Sequence, residues 1–155
     1  MKRSLLTDGS GIPLAIVVDG ANRHDSKLLC ATLDGVVIVR PEPGEEYPQH
    51  LCLDSAYDYQ LMCILVRERG YLDHIRSRGE EKAEKVTIPG YRARRWVVER
   101  TFAWIGRHRR MSKDYEYLTS SSENMIYLTM IRLLVRRLAR AAEAAREKPR
   151  QARAA

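Results

Sequence analysis

The chain of 155 residues has the length of one domain, and a hydrophobic content of 45% is enough to form a core, which excludes a disordered tail. A total of 27 Lys and Arg against 20 Asp and Glu gives a net charge of +7, which favours a polyanionic partner such as nucleic acid. The three cysteines lack the spacing of a disulfide framework or a zinc site, no apolar run is long enough to cross a bilayer, and the first residues lack the apolar core of a signal peptide, so we expect a cytoplasmic protein.

The N-terminal part of the chain predicts a β-hairpin that leads into a short helix. Residues 3–18, RSLLTDGSGIPLAIVV, are two runs of aliphatic and β-branched residues separated by turn residues at positions 8–11. Asp25 or Ser26 is placed to cap the helix that follows. The apolar face of this helix consists of Leu28, Leu29, Ala31, Thr32 and Leu33.

The middle of the chain predicts two short strands on either side of a helix. After a loop rich in Pro, Gly and Glu (PEPGEEYP), the run HLCLD is typical of a buried strand that ends at Asp54. Asp58 is placed to cap the helix, and the pair Arg69 and Gly70 is placed to close it. The sequence YLDHI predicts the second strand.

Two helices are predicted in the C-terminal part, beyond a loop. Residues 76–90 are charged and are interrupted by Gly and Pro, which predicts an exposed and mobile loop. Apolar residues at helical spacing then predict one helix from Tyr91 to about Ser112 and another from Glu123 to about Arg146, both strongly basic on the side away from the apolar residues. The apolar stripe of the second helix consists of Ile126, Met130, Ile131, Leu134 and Leu138.

The last residues of the chain are expected to fray. Residues 141–155 are mostly Ala, Arg, Glu and Lys, which favour a helix but offer little to bury. We expect Pro149 to end the helix, because proline disrupts a helix interior.

Two carboxylates are candidates for a metal site. Asp54 lies at the C-terminal end of a predicted core strand, and Glu99 lies on a predicted helix within the arginine-rich stretch RRWVVERTFAWIGRHRR. Carboxylates from such positions can converge, and hard divalent cations take oxygen ligands. Two such ions hold the attacking and leaving oxygens of a phosphodiester, while neighbouring arginines neutralise the DNA backbone. The pattern alone leaves an alternative for each residue: a salt bridge of Glu99 with a nearby arginine, and a turn or cap role for Asp54.

The aromatic residues of the same stretch and the histidines have simpler interpretations. Trp96, Phe102 and Trp104 are expected to pack in a core rather than to stack on bases, because they lie on a helix. The histidines at positions 50, 74 and 108 show no metal-ligand spacing.

Several segments resemble a known family. Residues 11–25 (GIPLAIVVDGANRHD), 53–58 (LDSAYD), 94–110 (RRWVVERTFAWIGRHRR) and 115–118 (YEYL) are similar, in order and spacing, to the C-terminal part of bacterial insertion-sequence transposases of the DDE type. The long block at 94–110 is the most specific of the four. The resemblance implies an α/β fold, namely an RNase H-like mixed sheet flanked by helices, lacking the first central strand and followed by C-terminal basic helices. Residues 1–140 would form this partial catalytic domain, and residues 141–155 a frayed basic tail.

The resemblance also implies roles for individual residues. Asp54 matches the second acidic metal ligand and Glu99 the third, and the expected cofactor of the complete enzyme is Mg²⁺. The residues expected to bind DNA are Arg95, Arg100, Arg107, Arg109 and Arg110, and a plain charge on the helix surface is an equally good interpretation of Arg100. The implied partners are the DNA of the element ends and the target, and further copies of the complete enzyme in a homo-oligomer associated with the nucleoid.

The family's first aspartate has no counterpart in the sequence. Asp8 lies in the hairpin turn, and Asp19 follows the hairpin without matching the motif. The pair His24 and Asp25 matches a recurring pair of the family, but we expect a helix-capping role for Asp25 rather than a metal ligand. The strand that would carry the first aspartate is also missing, and its loss would leave unpaired strand edges that invite aggregation or pairing with another chain.

We therefore expect the C-terminal portion of a DNA transposase, a metal-dependent enzyme of phosphodiester hydrolysis and strand transfer, that is inactive alone. One alternative is a non-catalytic DNA-binding or subunit-poisoning regulator of an intact transposase. Another is a basic helical protein bound to RNA or ribosomes, in which Glu99 is only a salt-bridge residue.

Overall fold

The computed structural model of the protein describes residues 1–75, 78–87 and 96–151. The chain is divided into two compact units, Met1–Ala103 and Trp104–Ala155. The first unit contains strands and helices, and the second is helical. This mixed composition confirms the predicted α/β class at the level of its elements.

The N-terminal hairpin is formed as predicted. Strand β1 (Lys2–Thr7) pairs antiparallel with strand β2 (Pro13–Asp19). Between them, the Oδ1 atom of Asp8 accepts hydrogen bonds from the backbone N–H groups of Ser10 at 2.9 Å and Ile12 at 2.6 Å. Gly11 has a φ of 77°, a conformation that favours glycine. The side chain of Asp8 and the backbone freedom of Gly11 therefore account for the turn.

Helix α1 (Asp25–Asp34) follows the hairpin, but neither Asp25 nor Ser26 caps it. The cap is His24, whose Nδ1 atom accepts a hydrogen bond from the N–H of Ser26 at 3.4 Å. Asp25 instead lies in the first turn, where a negative charge is favourable, and forms an ion pair with Lys2 at 3.2 Å. The predicted helix is therefore correct, and its predicted cap is wrong by one or two residues.

A second pair of strands is parallel. Strand β3 (His50–Leu53) and strand β4 (Leu72–Ile75) are joined through a 3₁₀ turn (Ser55–Tyr57) and helix α2 (Gln60–Glu68). Both predicted strands and the helix between them are confirmed. The predicted cap is wrong, because the 3₁₀ turn ends at Asp58 and the residue before α2 is Tyr59, which makes no side-chain capping bond.

The region predicted as a mobile loop contains a helix. Helix α3 runs from Arg78 to Thr87, and residues 76–77 and 88–95 lie outside the described part of the chain. The run of Glu, Lys and Ala in this segment has high helix propensity, whereas Gly79 and Pro89 lie near or beyond its ends. A helix forms where a loop was predicted because the good helix formers between these two residues outweigh their helix-breaking effect.

The two C-terminal helices are present with different bounds. Helix α4 (Trp96–Gly106) ends six residues before the predicted Ser112, and a single 3₁₀ turn (Arg109–Met111) follows. Glycine is a poor helix former, and His108 is extended, with a φ of −82° and a ψ of 127°. These two features explain the early end of α4. The beginning predicted for this helix lies outside the described residues.

Helix α5 (Thr119–Gln151) begins earlier and ends later than predicted. Contrary to the prediction, Pro149 does not end it. Proline disturbs the helical turn that precedes it, and here that turn follows a long run of good helix formers. The described helix also extends only as far as Gln151, two residues beyond Pro149.

Each unit has its own buried apolar residues. In the first unit the core cluster consists of Leu29, Leu33, Leu51, Met62 and Val66. In the second unit the buried apolar residues are Ile105, Met111, Ile126 and Met130. The stripe predicted on α5 is therefore buried only in its first half, since Ile131 is 55% and Leu138 69% exposed. Among the described helices, none combines the length and the apolar character needed to cross a membrane.

The four strands form two sheets of two strands each, in the orders β1–β2 and β3–β4. Within the described residues, each of the four strands, β1 and β3 included, therefore has one edge without a strand partner.

Candidate functional site

Asp54 lies directly after β3 and begins the 3₁₀ turn. Its side chain is exposed, and its Oδ1 atom accepts hydrogen bonds from the N–H of Ser55 at 2.6 Å and from the Ser55 hydroxyl at 3.2 Å. This is the geometry of a capping residue. The capping role that the sequence left open is therefore present.

Two carboxylates, those of Asp25 and Asp54, act on the phenol of Tyr57. Burial, followed by the negative charges of Asp25 and Asp54, raises the pKa of Tyr57 to about 12. Both carboxylates are therefore close enough to the Tyr57 phenol to act on its charge. The sequence did not predict this proximity, because Asp25 and Asp54 belong to segments that only the tertiary structure brings together.

Glu99 lies in the first turn of α4, and its side chain is exposed. The helix is held against the hairpin turn by two of its residues. The hydroxyl of Thr101, which is fully buried, donates to the carbonyl oxygen of Gly11 at 2.9 Å, and the guanidinium of Arg100 donates to the carbonyl oxygen of Ser10 at 2.8 Å. These contacts fix the position of the turn that carries Glu99.

A cavity of about 460 Å³ lies beside both carboxylate-bearing elements. It is lined by β1, by β3 and by Val97 and Val98 of α4, with Tyr57 and part of α1 completing the wall. Leu53, the last residue of β3, precedes Asp54, and Val98 precedes Glu99. The two candidate ligands are thus attached to elements that line one cavity, and this cavity adjoins both β1 and β3.

The described residues supply only part of a metal site. Asp54 and Glu99 provide oxygen ligands of the kind that hard divalent cations prefer. However, nowhere in the described part of the chain do three His, Cys, Asp or Glu side chains gather into a group that could hold a metal ion. The donors therefore fit such an ion in chemical type but do not form a complete set.

The candidate DNA-binding arginines differ in their surroundings. In the first unit, Arg100 is half-buried, with its guanidinium 4.3 Å from the ring centre of Trp96. In the second unit, Arg107 and Arg109 are exposed, and Arg110 forms an ion pair with Glu116 at 2.6 Å. Arg95 lies outside the described residues.

Two histidines that showed no ligand spacing in the sequence are neighbours in the structure. The Nδ1 atom of His50 on β3 lies 2.6 Å from the Nε2 atom of His74 on β4. Parallel pairing of the two strands brings them together, a contact that spacing along the chain does not reveal. No carboxylate or cysteine joins them in a described group of three.

Comparison with known proteins identifies the family. Residues 51–136, which include both Asp54 and Glu99, match the family described as "Transposase DDE domain". The chain is also 32% identical over 117 residues to the "Putative transposase for insertion sequence element IS402" of Burkholderia cepacia. This alignment covers 74% of the chain and 53% of the relative, so the chain spans about half the length of this curated relative. No solved structure matches the chain.

The family match covers more than half of the chain, and the alignment with the relative covers most of the chain. The chain belongs to the DDE transposases of bacterial insertion sequences.

Proposed function

We propose that the chain is the C-terminal portion of a DNA transposase and carries two of its three metal-binding carboxylates. The observation that supports this most directly is the shared cavity. Strand β3, which precedes Asp54, and the first turn of α4, which holds Glu99, both line it. The proposal assigns these two side chains, rather than the His50 and His74 pair, to the chemistry.

In the proposed site, Asp54 and Glu99 would hold divalent cations, and we favour Mg²⁺ because carboxylate oxygens suit a hard ion. Such ions, when bound, activate the attacking oxygen and stabilise the leaving oxygen of a phosphodiester. The chain's own contribution is to position the ligands. The capping bonds from Ser55 orient the Asp54 carboxylate, and the anchoring of α4 through Thr101 orients the turn of Glu99.

We further propose that the fold is RNase H-like and that the cavity is the place of its first central strand. The unpaired edges of β1 and β3 within the described residues support this, because a strand placed between them would join the two small sheets into one. Such a strand would bring the first acidic ligand. Without it, the 155-residue chain is expected to be inactive.

For DNA binding we propose the arginines Arg95, Arg100, Arg107, Arg109 and Arg110. The exposure of Arg107 and Arg109 supports direct phosphate contacts for these two. The existing contacts of Arg100 with Ser10 and Trp96 support a role in positioning α4 in addition to any contact with DNA. The complete enzyme is proposed to act as a homo-oligomer.

A second candidate function is that of a non-catalytic regulator. Such a regulator would bind DNA, or would associate with the subunits of an intact transposase and inactivate their assembly. The unpaired strand edges beside the cavity favour it, since an edge of this kind can pair with another chain. A regulator would inhibit transposition by the intact enzyme and would not need Asp54 or Glu99.

The test is a strand-transfer assay in Mg²⁺ on duplex DNA that contains the ends of the element. The purified 155-residue chain is compared with the longer protein that includes the polypeptide encoded directly upstream of Met1. We expect activity only in the longer protein, lost on Asp54→Asn or Glu99→Gln and retained on Asp58→Asn, which changes an exposed carboxylate outside the proposed site.

Activity of the 155-residue chain that depends on Glu99 would contradict the claim that the chain is incomplete. Activity of the longer protein that survives both Asp54→Asn and Glu99→Gln would contradict the assignment of the ligands. Inhibition of the longer protein by both the wild-type chain and its Glu99→Gln variant would support the regulator.

A further inference from the structure

The positive charge of the protein is concentrated in one unit. Residues 104–155 contain 12 Lys and Arg and five Asp and Glu, whereas residues 1–103 contain 15 of each kind. The whole net charge of +7 therefore belongs to the second unit. Charge asymmetry between two parts of a chain is typical of nucleic-acid binding by the basic part.

Much of this charge surrounds one cleft in the second unit. The cleft has a volume of about 440 Å³ and is lined by five arginines and a histidine, together with Trp104 and Leu133. The basic residues are Arg107, His108, Arg132, Arg136, Arg137 and Arg140. None of these lining residues, all of which belong to the described part of the chain, is acidic. The cleft thus presents hydrogen-bond donors and positive charge without a carboxylate in its walls.

Helix α5 arranges three of the arginines along one ridge. Arg132, Arg136 and Arg140 are spaced by four residues, which places them on the same face at intervals of about 6 Å. The ridge therefore extends over about 12 Å, a distance over which one strand of a DNA duplex presents about four phosphates. Its spacing suits a linear polyanion better than a single small anion.

Two of the arginines are held in place by neighbours within the unit. The guanidinium of Arg137 lies 4.8 Å from the ring centre of Trp104, and Arg132 lies 3.4 Å from the Nδ1 atom of His108. Cation–π contact fixes the plane of a guanidinium while leaving its N–H groups able to donate in that plane. These contacts order part of the cleft in advance of binding.

Part of the remaining charge of the cleft has no carboxylate partner in the part of the chain that the structure describes. Among the described residues, Arg107, Arg136 and Arg140 form no ion pair with a carboxylate. Like charges four residues apart destabilise a helix, so the series on α5 opposes folding when no anion is bound. An anion bound along the ridge would relieve this repulsion between the arginines.

We propose that this cleft binds the phosphodiester backbone of duplex DNA, with Arg136 and Arg140 of α5 and Arg107 as direct phosphate contacts. The inference rests on the proposed function in taking DNA as the polyanion, and it adds a binding site on α5 to the arginines around Glu99. Phosphate contacts of this kind position a protein on a duplex without selecting a sequence.

The test measures the affinity of the purified 155-residue chain for a duplex of arbitrary sequence, by fluorescence anisotropy over a series of salt concentrations. EDTA is present throughout, so that the result is independent of any metal site. Arg136→Gln and Arg140→Gln each remove one charge from the cleft. Arg146→Gln is the matched control, because Arg146 is exposed on the same helix and does not line the cleft.

We expect each cleft variant to lower the slope of log affinity against log salt by about one, the value for one lost phosphate contact. The corresponding loss of affinity at about 0.1 M salt is roughly tenfold. Arg136→Lys should retain most of the slope, because it keeps the charge. Arg146→Gln should bind as the wild type does. Far-UV circular dichroism establishes that each variant is folded, and Arg140→Gln provides a second variant if Arg136→Gln is not.

Three outcomes would overturn the inference. Equal losses in Arg136→Gln, Arg140→Gln and Arg146→Gln would mean that binding follows net charge and not the cleft. Unchanged affinity in both cleft variants would place the DNA contacts elsewhere and leave the proposed function intact. Absence of duplex binding by the wild-type chain would reject the cleft, whereas failure of the proposed catalytic function would appear only in the strand-transfer assay.

Discussion

At the scale of single residues, one ion pair links α2 to β4. The Nε atom of Arg67 donates to Asp73 at 2.6 Å, and a second guanidinium nitrogen approaches the other carboxylate oxygen at 3.2 Å. The hydrogen bond from Arg67 holds the pKa of Asp73 below its ordinary value. Because the Arg67 side chain is 67% exposed and that of Asp73 14%, solvent screens the pair, and its contribution to stability is modest.

The lowered pKa gives this pair a defined pH dependence. A carboxyl group whose pKa is lower in the folded state stabilises the fold above its unfolded pKa, and this stabilisation is lost as the pH falls through the folded value. We expect Asp73→Asn to lower the urea midpoint at pH 5–7 by a small and constant amount. The difference from the wild type should then shrink below about pH 4.

The measurement is urea unfolding of the wild type and Asp73→Asn across this pH range. Asp58→Asn provides the comparison, because Asp58 is exposed and has no ion-pair partner in the described part of the chain. A difference between the wild type and Asp73→Asn that grows as the pH falls would refute the assignment, since the sign of the pKa change would then be reversed.

At the scale of elements, the end of α2 depends on one glycine. Gly70 has a φ of 75°, and a Cβ atom at this position would lie 2.7 Å from the Cγ atom of Pro43 and 3.1 Å from a guanidinium nitrogen of Arg40. The Arg40 guanidinium donates to the carbonyl oxygen of Arg69 at 2.6 Å and lies 4.1 Å from the ring centre of Tyr71. The loop between α1 and β3 is therefore packed closely over the turn that leads into β4.

We predict that Gly70→Ala destabilises the first unit. The left-handed conformation costs a side chain about 1–2 kcal/mol, and the loop must also move away from the added methyl group. Gly9→Ala is the control, because no atom lies within 4 Å of its Cβ position and its φ is not positive. The two variants are compared by urea unfolding followed by circular dichroism. Equal stability of both variants would mean that the Arg40 and Pro43 contacts do not restrict the turn.

The elements predicted correctly are those with a strong local signal. The hairpin follows from turn residues between two aliphatic runs, and Gly70 closes α2 where the sequence placed its end. The incorrect predictions concern helix α3 and the caps of α1 and α2, where the local sequence signals conflict or are weak. Helix α3 was missed because Gly and Pro at the margins outweighed good helix formers between them, and the caps of α1 and α2 depend on backbone details that residue type does not determine.

The candidate site shows the same division. The position of Asp54 at the end of β3 was predicted from its apolar run, and the position of Glu99 on a helix from the spacing around it. The effect of Asp25 on Tyr57 and the contact between His50 and His74 were not predicted, because each joins segments distant along the chain. Sequence periodicity identifies which residues share an element, and only the tertiary structure brings elements together.

At the scale of the whole molecule, the candidate metal ligands and the net positive charge belong to different units. The two candidate metal ligands belong to the first unit, whose Lys and Arg equal its Asp and Glu in number, and the net positive charge belongs to the second. Binding of DNA and binding of metal can therefore be tested separately by substitutions in different units. In the longer protein that includes the polypeptide encoded upstream of Met1, a change of charge in the cleft of α5 should affect DNA affinity without affecting the response to Mg²⁺.

The response to Mg²⁺ gives the last prediction, which concerns the completeness of the site. An ion that binds only the folded state raises its stability by RT ln(1 + [L]/Kd), about 1.4 kcal/mol at tenfold excess over Kd. For a protein of this size such a gain raises the thermal midpoint by several degrees. Because no third carboxylate, His or Cys joins the two proposed ligands Asp54 and Glu99 within the described residues, we expect the 155-residue chain to show no shift in Mg²⁺ beyond that of its Asp54→Asn variant.

The longer protein with the polypeptide encoded upstream of Met1 should show a shift that Asp54→Asn or Glu99→Gln removes and Asp58→Asn preserves. Asparagine at position 54 still offers an oxygen to the N–H of Ser55, so this substitution removes the charge while keeping the cap. A shift in the 155-residue chain that disappears in Asp54→Asn would contradict the prediction, because it would mean that this chain already contains a complete site. A shift in the longer protein that both substitutions leave unchanged would place the ion elsewhere and separate metal binding from the two carboxylates beside the cavity.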